Sequence, residues 1–125
     1  MKSPQTYRNV FSLRLKQARV AKGFSQKRLG IEAGIDEFVA STRINRYEQG
    51  IHNVNTGTAQ RLADALNVPV AYFYAIDDSL AELILAFNSL SQNERFSVLA
   101  LTKEKTNALC PNAIQTLPCP NSPHK

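Results

Sequence analysis

The chain has 125 residues, 43% of them hydrophobic and 20% charged, and a formal net charge of +5. That composition makes a compact core feasible in one small domain, with room for an appendage. No apolar run approaches the roughly 20 residues of a membrane span, and the start, MKSPQTYRNV, lacks the apolar centre of a secretory signal, so a cytoplasmic address and no membrane partner are expected.

The charge is uneven. Residues 1–50 hold ten Lys and Arg against four acidic residues, whereas residues 51–125 hold five against six. A basic half joined to a near-neutral half suits either a polyanion partner or a solvated basic surface. The two cysteines, Cys110 and Cys119, each precede a proline and stand nine residues apart. They make a poor metal site, and a cytosolic disulfide is not expected, so both read as incidental. No metal or cofactor is expected.

Residues 1–8 lack periodicity and read as a loose arm. From Asn9 to Lys22, Phe11, Leu15 and Ala18 recur on one helical face, with Arg14, Lys16 and Lys22 largely elsewhere. Gly23 sits where a C-terminal cap belongs. Ser25 is a natural N-cap for a second helix that begins Gln26, Lys27, Arg28, turns Leu29 and Ala33 inward and ends at Gly34. The next six residues, IDEFVA (35–40), admit two readings. Either Asp36 caps a helix running through to Glu48, or the six form a long turn and the helix starts near Ser41. In both, Ala40, Ile44 and Tyr47 mark the inner face, and Gly50 stops the helix. Ser41, Thr42, Arg43, Asn45 and Arg46 then point outward, a set of hydroxyl, amide and guanidinium groups suited to base edges.

A polar loop follows (51–55), and Thr56 caps a fourth helix with Ala59, Leu62, Ala63 and Leu66 inward. Val68 and Pro69 break it, and VAYFYAI gives a short fifth helix with Phe73 and Ile76 inward. Five short helices with brief connections indicate an all-α domain. Beyond Asp78, Leu80, Leu83, Ile84, Phe87 and Leu90 form a further stripe. Ser91 and Glu94 have capping-box spacing and open another helix carrying Phe96 and Leu99. This hairpin suits a dimer surface or simple packing on the preceding helices. The proline-rich, aperiodic end is expected to be disordered. The expected division is 9–76, 78–106 and a tail, 107–125.

The segments RLKQAR (14–19), KGFSQKRLG (22–30), Gly34, INRYEQG (44–50) and RLADALNVPVAYFY (61–74), in this order and spacing, resemble the Cro/cI-type (XRE-like) helix-turn-helix family of phage and prophage regulators. The resemblance implies a lambda-repressor-like five-helix domain. It also implies a sequence-specific regulator, a repressor, bound as a homodimer to a palindromic double-stranded DNA operator in the nucleoid, with no small-molecule ligand evident. By position, Ser41, Thr42, Arg43, Asn45 and Arg46 match base-facing residues. Ser25 and Gln26 match a helix start that meets phosphate and braces the reading helix. His52, Asn53 and Asn55 match a loop touching the sugar–phosphate chain, and Lys22, Lys27 and Arg28 would add sequence-neutral phosphate contacts. Arg19 and Glu48 match a partly buried salt bridge.

The chain departs from the family pattern in three places. IDEFVA is about three residues longer than usual. Gly30 stands where alanine is usual, which implies a loss of about 1 kcal/mol of helix propensity. Asn55 stands where proline is common. An enzyme is not expected, because neither His52 nor His124 has a Cys or Asp partner at a motif spacing. The rival expectation is an antitoxin or protein-interaction adaptor on the same fold, with DNA binding secondary.

Overall fold

The computed structural model describes residues 4–109. Cys110, Cys119 and the tail beyond residue 109 lie outside the described residues. The described chain is all helical: α1 (Pro4–Lys22), α2 (Gln26–Glu32), α3 (Ala40–Glu48), α4 (Thr56–Leu66), a 3₁₀ turn η1 (Val70–Tyr74), α5 (Asp78–Asn88) and α6 (Gln92–Leu109). It divides after Asn88 into two compact units.

The core of the first unit is drawn from every element of the expected five-helix domain. Its largest fully buried side chains are Leu15, Leu29, Ile44, Leu62 and Phe73, one each from α1, α2, α3, α4 and η1. Each such burial is worth about 1.5–3 kcal/mol, so no element can leave without a large loss. Phe11, Ala18, Ala33, Ala40, Tyr47, Ala59, Ala63 and Leu66 are also buried, as the helical stripes predict. The Phe11 ring packs on Phe73 and Tyr74 at centroid distances of 5.0 and 5.5 Å. From α5, Ala81 is buried, and Ile84 and Leu85 are partly buried against the same core.

Several expectations are corrected. Helix α1 begins at Pro4 rather than Asn9; proline suits a first helical position, where its missing N–H would lack a partner anyway. Helix α4 is capped by Asn55, not Thr56: the Asn55 Oδ1 accepts from the Thr58 N–H at 2.8 Å. Beyond η1 the backbone turns extended at Ala75, which sends Ala75 inward and leaves Ile76 39% exposed. Helix α6 continues to Leu109, past the expected end of the hairpin.

Arg14 is the largest correction. It lies 4% exposed rather than on a solvent face. Its Nε donates to the Ala75 carbonyl (3.0 Å), and its Nη2 donates to the Ile76 carbonyl (3.3 Å) and the Asp78 carboxylate (2.9 Å). The side chain thus satisfies carbonyls released where η1 ends, and ties that exit to the start of α5.

In the second unit, the expected capping box opens α6. The Ser91 N–H donates to Glu94 Oε1 (2.9 Å), and the Glu94 N–H donates to Ser91 Oγ (3.3 Å). The bond from the Ser91 backbone, then that with its side chain, holds the Glu94 carboxyl below its usual range. Phe96, Leu99 and Leu101 are exposed.

The connection from α2 to α3 decides where the outward polar set begins. Gly34, at φ +87°, donates to the Ile31 carbonyl (2.9 Å), and Ile35 donates to Gly30 (2.8 Å), the left-handed closure that glycine permits. Asp36 then holds a turn, its Oδ1 accepting from the Phe38 N–H (2.9 Å) and its carbonyl from Val39 (3.1 Å). Of the two readings of IDEFVA, the turn is the one formed, and α3 starts at Ala40.

Gly30 also acquires a role. A Cβ built there would stand 2.6 Å from the Ala40 Cβ. Glycine lets α2 and the first turn of α3 touch backbone to side chain, a packing requirement rather than a simple propensity deficit. Gly30→Ala should therefore lower stability despite a propensity gain of about 1 kcal/mol, because overpacking costs about 1–3 kcal/mol. Chemical denaturation of the full chain checks this, and adding Ala40→Gly should recover part of the loss.

Candidate functional site

Helix α3 buries Ala40, Ile44 and Tyr47 and exposes Ser41, Thr42, Arg43, Asn45 and Arg46. The spacing of the buried residues leaves the opposite side free, so the polar residues share the solvent face. Thr42, Arg43 and Arg46 line one groove with Val39, Tyr47, His52 and Asn53. The loop after α3 thus stands beside the helix face, and Arg46 Nη1 lies 3.4 Å from His52 Nε2. The groove carries two guanidinium groups and no carboxylate among its lining residues, so its electrostatics favour an anion.

The other edge of α3 faces α2 through a polar relay. Gln26 Nε2 donates to Asn45 Oδ1 (3.2 Å) and to Glu48 Oε1 (3.1 Å). Glu48, with its side chain 2% exposed, accepts from Arg19 Nε at Oε2 (2.5 Å) and from Arg19 Nη2 at Oε1 (3.1 Å). Arg19 Nη1 also donates to the Phe24 carbonyl at 2.9 Å. From α1, the buried Ser12 hydroxyl donates to the Tyr47 carbonyl at 2.6 Å. The C-terminal end of α3 is therefore held from α1, and Asn45 is oriented from α2.

Ser25 accepts from the Arg28 N–H at 3.0 Å and caps α2. Lys22, Lys27 and Arg28 are exposed beside that end. The Arg28 guanidinium lies 4.4 Å, and the Lys22 ammonium 6.0 Å, from the centroid of the Phe24 ring. A ring face placed under two cations fixes their direction without neutralising them. Asn55 is not among the groove-lining residues, and its oxygen is bonded as the cap of α4.

The residues expected to act together thus fall into two neighbouring sets: Thr42, Arg43, Arg46, His52 and Asn53 around the groove, and Lys22, Lys27 and Arg28 beside the start of α2. Ser41 is exposed at the start of α3, and Gln26 and Asn45 link α2 to it. Val39 and Tyr47 line the groove without having been expected there. Val39 was hidden by the ambiguity of IDEFVA, and Tyr47 by its role as a core residue.

Glu48→Ala should lower unfolding free energy by about 3–5 kcal/mol, because the largely buried Arg19 would lose its counter-charge. Removing Arg19 as well should restore part of that loss. Denaturant melts of the two single variants and the double variant give the coupling.

A family model described as "Helix-turn-helix" matches residues 15–73. Two curated proteins, uncharacterised HTH-type transcriptional regulators of Sinorhizobium medicae (strain WSM419) and Rhizobium meliloti (strain 1021), are each 34% identical over 61 residues, covering 49% of this chain and 41% of theirs. The chain therefore spans about two fifths of the length of these relatives. The crystal structure of the transcriptional regulator BswR superposes with a TM-score of 0.74 at 43% identity, covering 78% of this chain and 96% of that one.

Proposed function

This chain belongs to the helix-turn-helix family of transcriptional regulators, and from that premise we propose that it binds double-stranded DNA in a sequence-specific way and represses transcription as a homodimer. The family is one of regulators rather than enzymes. One observation carries the proposal: the solvent face of α3 presents Ser41, Thr42, Arg43, Asn45 and Arg46. An α-helix such as α3, about 10–12 Å across with its side chains, fits a B-form major groove about 12 Å wide.

In this arrangement α3 enters the major groove and α2 crosses the backbone. Arg43 or Arg46 grips guanine O6 and N7 with both ends of its fork, and Asn45, oriented by Gln26, pairs with adenine. Each such pairing discriminates by about 1–3 kcal/mol. Lys22, Lys27 and Arg28 meet phosphates, as do Ser25, Gln26, His52, Asn53 and Asn55 around them. For Asn55 the amide nitrogen is the contacting group, its oxygen being the cap of α4. These contacts are sequence-neutral and salt-sensitive.

One short helix reads few bases, so specificity calls for two copies on half-sites about 34 Å apart, which makes the operator palindromic. We assign self-association to residues 78–106, where Leu80 and Leu83 on α5 and Phe96, Leu99 and Leu101 on α6 are exposed. No helix among the described residues is long and apolar enough to cross a membrane, and nucleoid DNA in the cytoplasm is the proposed site of action.

Fluorescence anisotropy over a salt series, with duplexes of varied sequence, tests this reading. Arg43→Ala should erase preference at one base position, a loss of about 1–3 kcal/mol for the preferred site alone. Lys27→Ala should weaken every duplex alike and reduce the salt slope by about one. Equal weakening of all sequences by Arg43→Ala would contradict base reading by that residue.

A further inference from the structure

The turn that precedes α3 ends in two apolar residues that the core does not use. Phe38 is 88% exposed, more than any other exposed large hydrophobic side chain described, and Val39 beside it is 43% exposed. Val39 occupies the N-cap position of α3, where it makes no side-chain cap bond. Serine, threonine, aspartate or asparagine would stabilise the helix there, and a polar residue at position 38 would suit an exposed turn. Both positions are instead apolar and face water, so stability of the free protein does not account for them.

Their location gives the chemistry of what does. Val39 lines the same groove as Thr42, Arg43 and Arg46, and Phe38 is its neighbour in the chain. The N-terminal part of a reading helix is the part that approaches base edges. The position of Phe38 is also fixed on both sides. Its own N–H is bonded to Asp36 Oδ1 at 2.9 Å, and two residues later Ala40 is packed against Gly30. Phe38 thus carries an exposed aromatic ring one residue from a groove-lining position, and an apolar ring beside a reading helix has one apolar target in a major groove, the 5-methyl group of thymine.

We propose that Phe38 is a specificity-determining residue that reads a thymine methyl beside the bases met by Ser41–Arg46. The proposal rests on the DNA-binding reading above and deepens it: the polar face of α3 selects by hydrogen bonds, and the turn before it selects by an apolar contact. The three or so residues that lengthen this turn relative to the family pattern are then part of the reading surface.

The test uses the full chain and a random-core duplex library from which wild-type protein selects its preferred site. Each thymine of that site is then replaced singly by deoxyuridine, which removes only the methyl group. Wild-type affinity should fall about fourfold at one thymine per half-site, the worth of one buried methyl at about 0.8 kcal/mol. Phe38→Ala, which loses the ring in both subunits, should bind the thymine site about as weakly as wild type binds a site carrying the replacement in both half-sites, and should be indifferent to the replacement. Phe38→Leu should keep part of the methyl preference, and unselected duplex should bind all three proteins equally. Wild type that is indifferent to uridine at every thymine overturns the proposal, and so does Phe38→Ala that retains the preference. A Phe38→Ala variant weakened equally on selected and unselected duplex also overturns it, since the ring would then act on the backbone or the fold. If wild type selects no sequence and shows no salt-sensitive binding, the DNA-binding reading itself fails, an outcome separate from the others.

Discussion

The geometry of the candidate reading helix depends on one largely buried carboxylate. Glu48 sits in the last turn of α3 and accepts hydrogen bonds from Arg19 on α1 and Gln26 on α2. An ion pair withdrawn from water gives little net stability, because desolvation offsets much of the attraction. Its contribution is direction. Apolar packing of Leu15, Leu29 and Ile44 tolerates small slides and rotations, whereas a forked guanidinium on a carboxylate does not. Through Gln26 the same carboxylate also orients Asn45, so the brace and the outward face are joined by a single relay.

At the other end of α3 the restraint is steric. Gly30 admits Ala40 to a distance that any larger residue would forbid. One end of the helix is therefore set by charge and the other by contact, and the side chains between them project from a fixed rod. Rigid placement lowers the ordering cost of any binding by that face. The cations around Phe24 and the groove between α3 and the 52–53 loop extend the positive surface to either side.

Much of this was legible in the sequence, for physical reasons that differ from place to place. The stripes Phe11–Leu15–Ala18 and Ala59–Leu62–Ala63–Leu66 identify buried faces because helical period and burial are tied together. Gly23, Gly34 and Gly50 mark helix ends because the left-handed closure favours that residue. The start of α3 was open because a turn closed by an aspartate side chain and a helix capped by one begin with the same residue, and Val39 gives no capping signal. By local sequence alone, Arg14 is one more surface cation. Its acceptors are carbonyls 61 and 62 residues away, and no local pattern reports carbonyls freed by a distant turn. The role of Gly30 was hidden in the same way, since propensity measures a helix alone and not its neighbour.

We propose that α3 approaches DNA from the major groove. Methylation interference by dimethyl sulfate separates the grooves, because guanine N7 lies in the major groove and adenine N3 in the minor. Partially methylated duplex carrying a selected site would be sorted into bound and free fractions by the full chain. N7 methylation of one or two guanines in each half-site should exclude the duplex from the bound fraction, while N3 methylation within the half-sites should be tolerated. Interference confined to adenine N3, or absent from every guanine of a site that the protein selects, would contradict it.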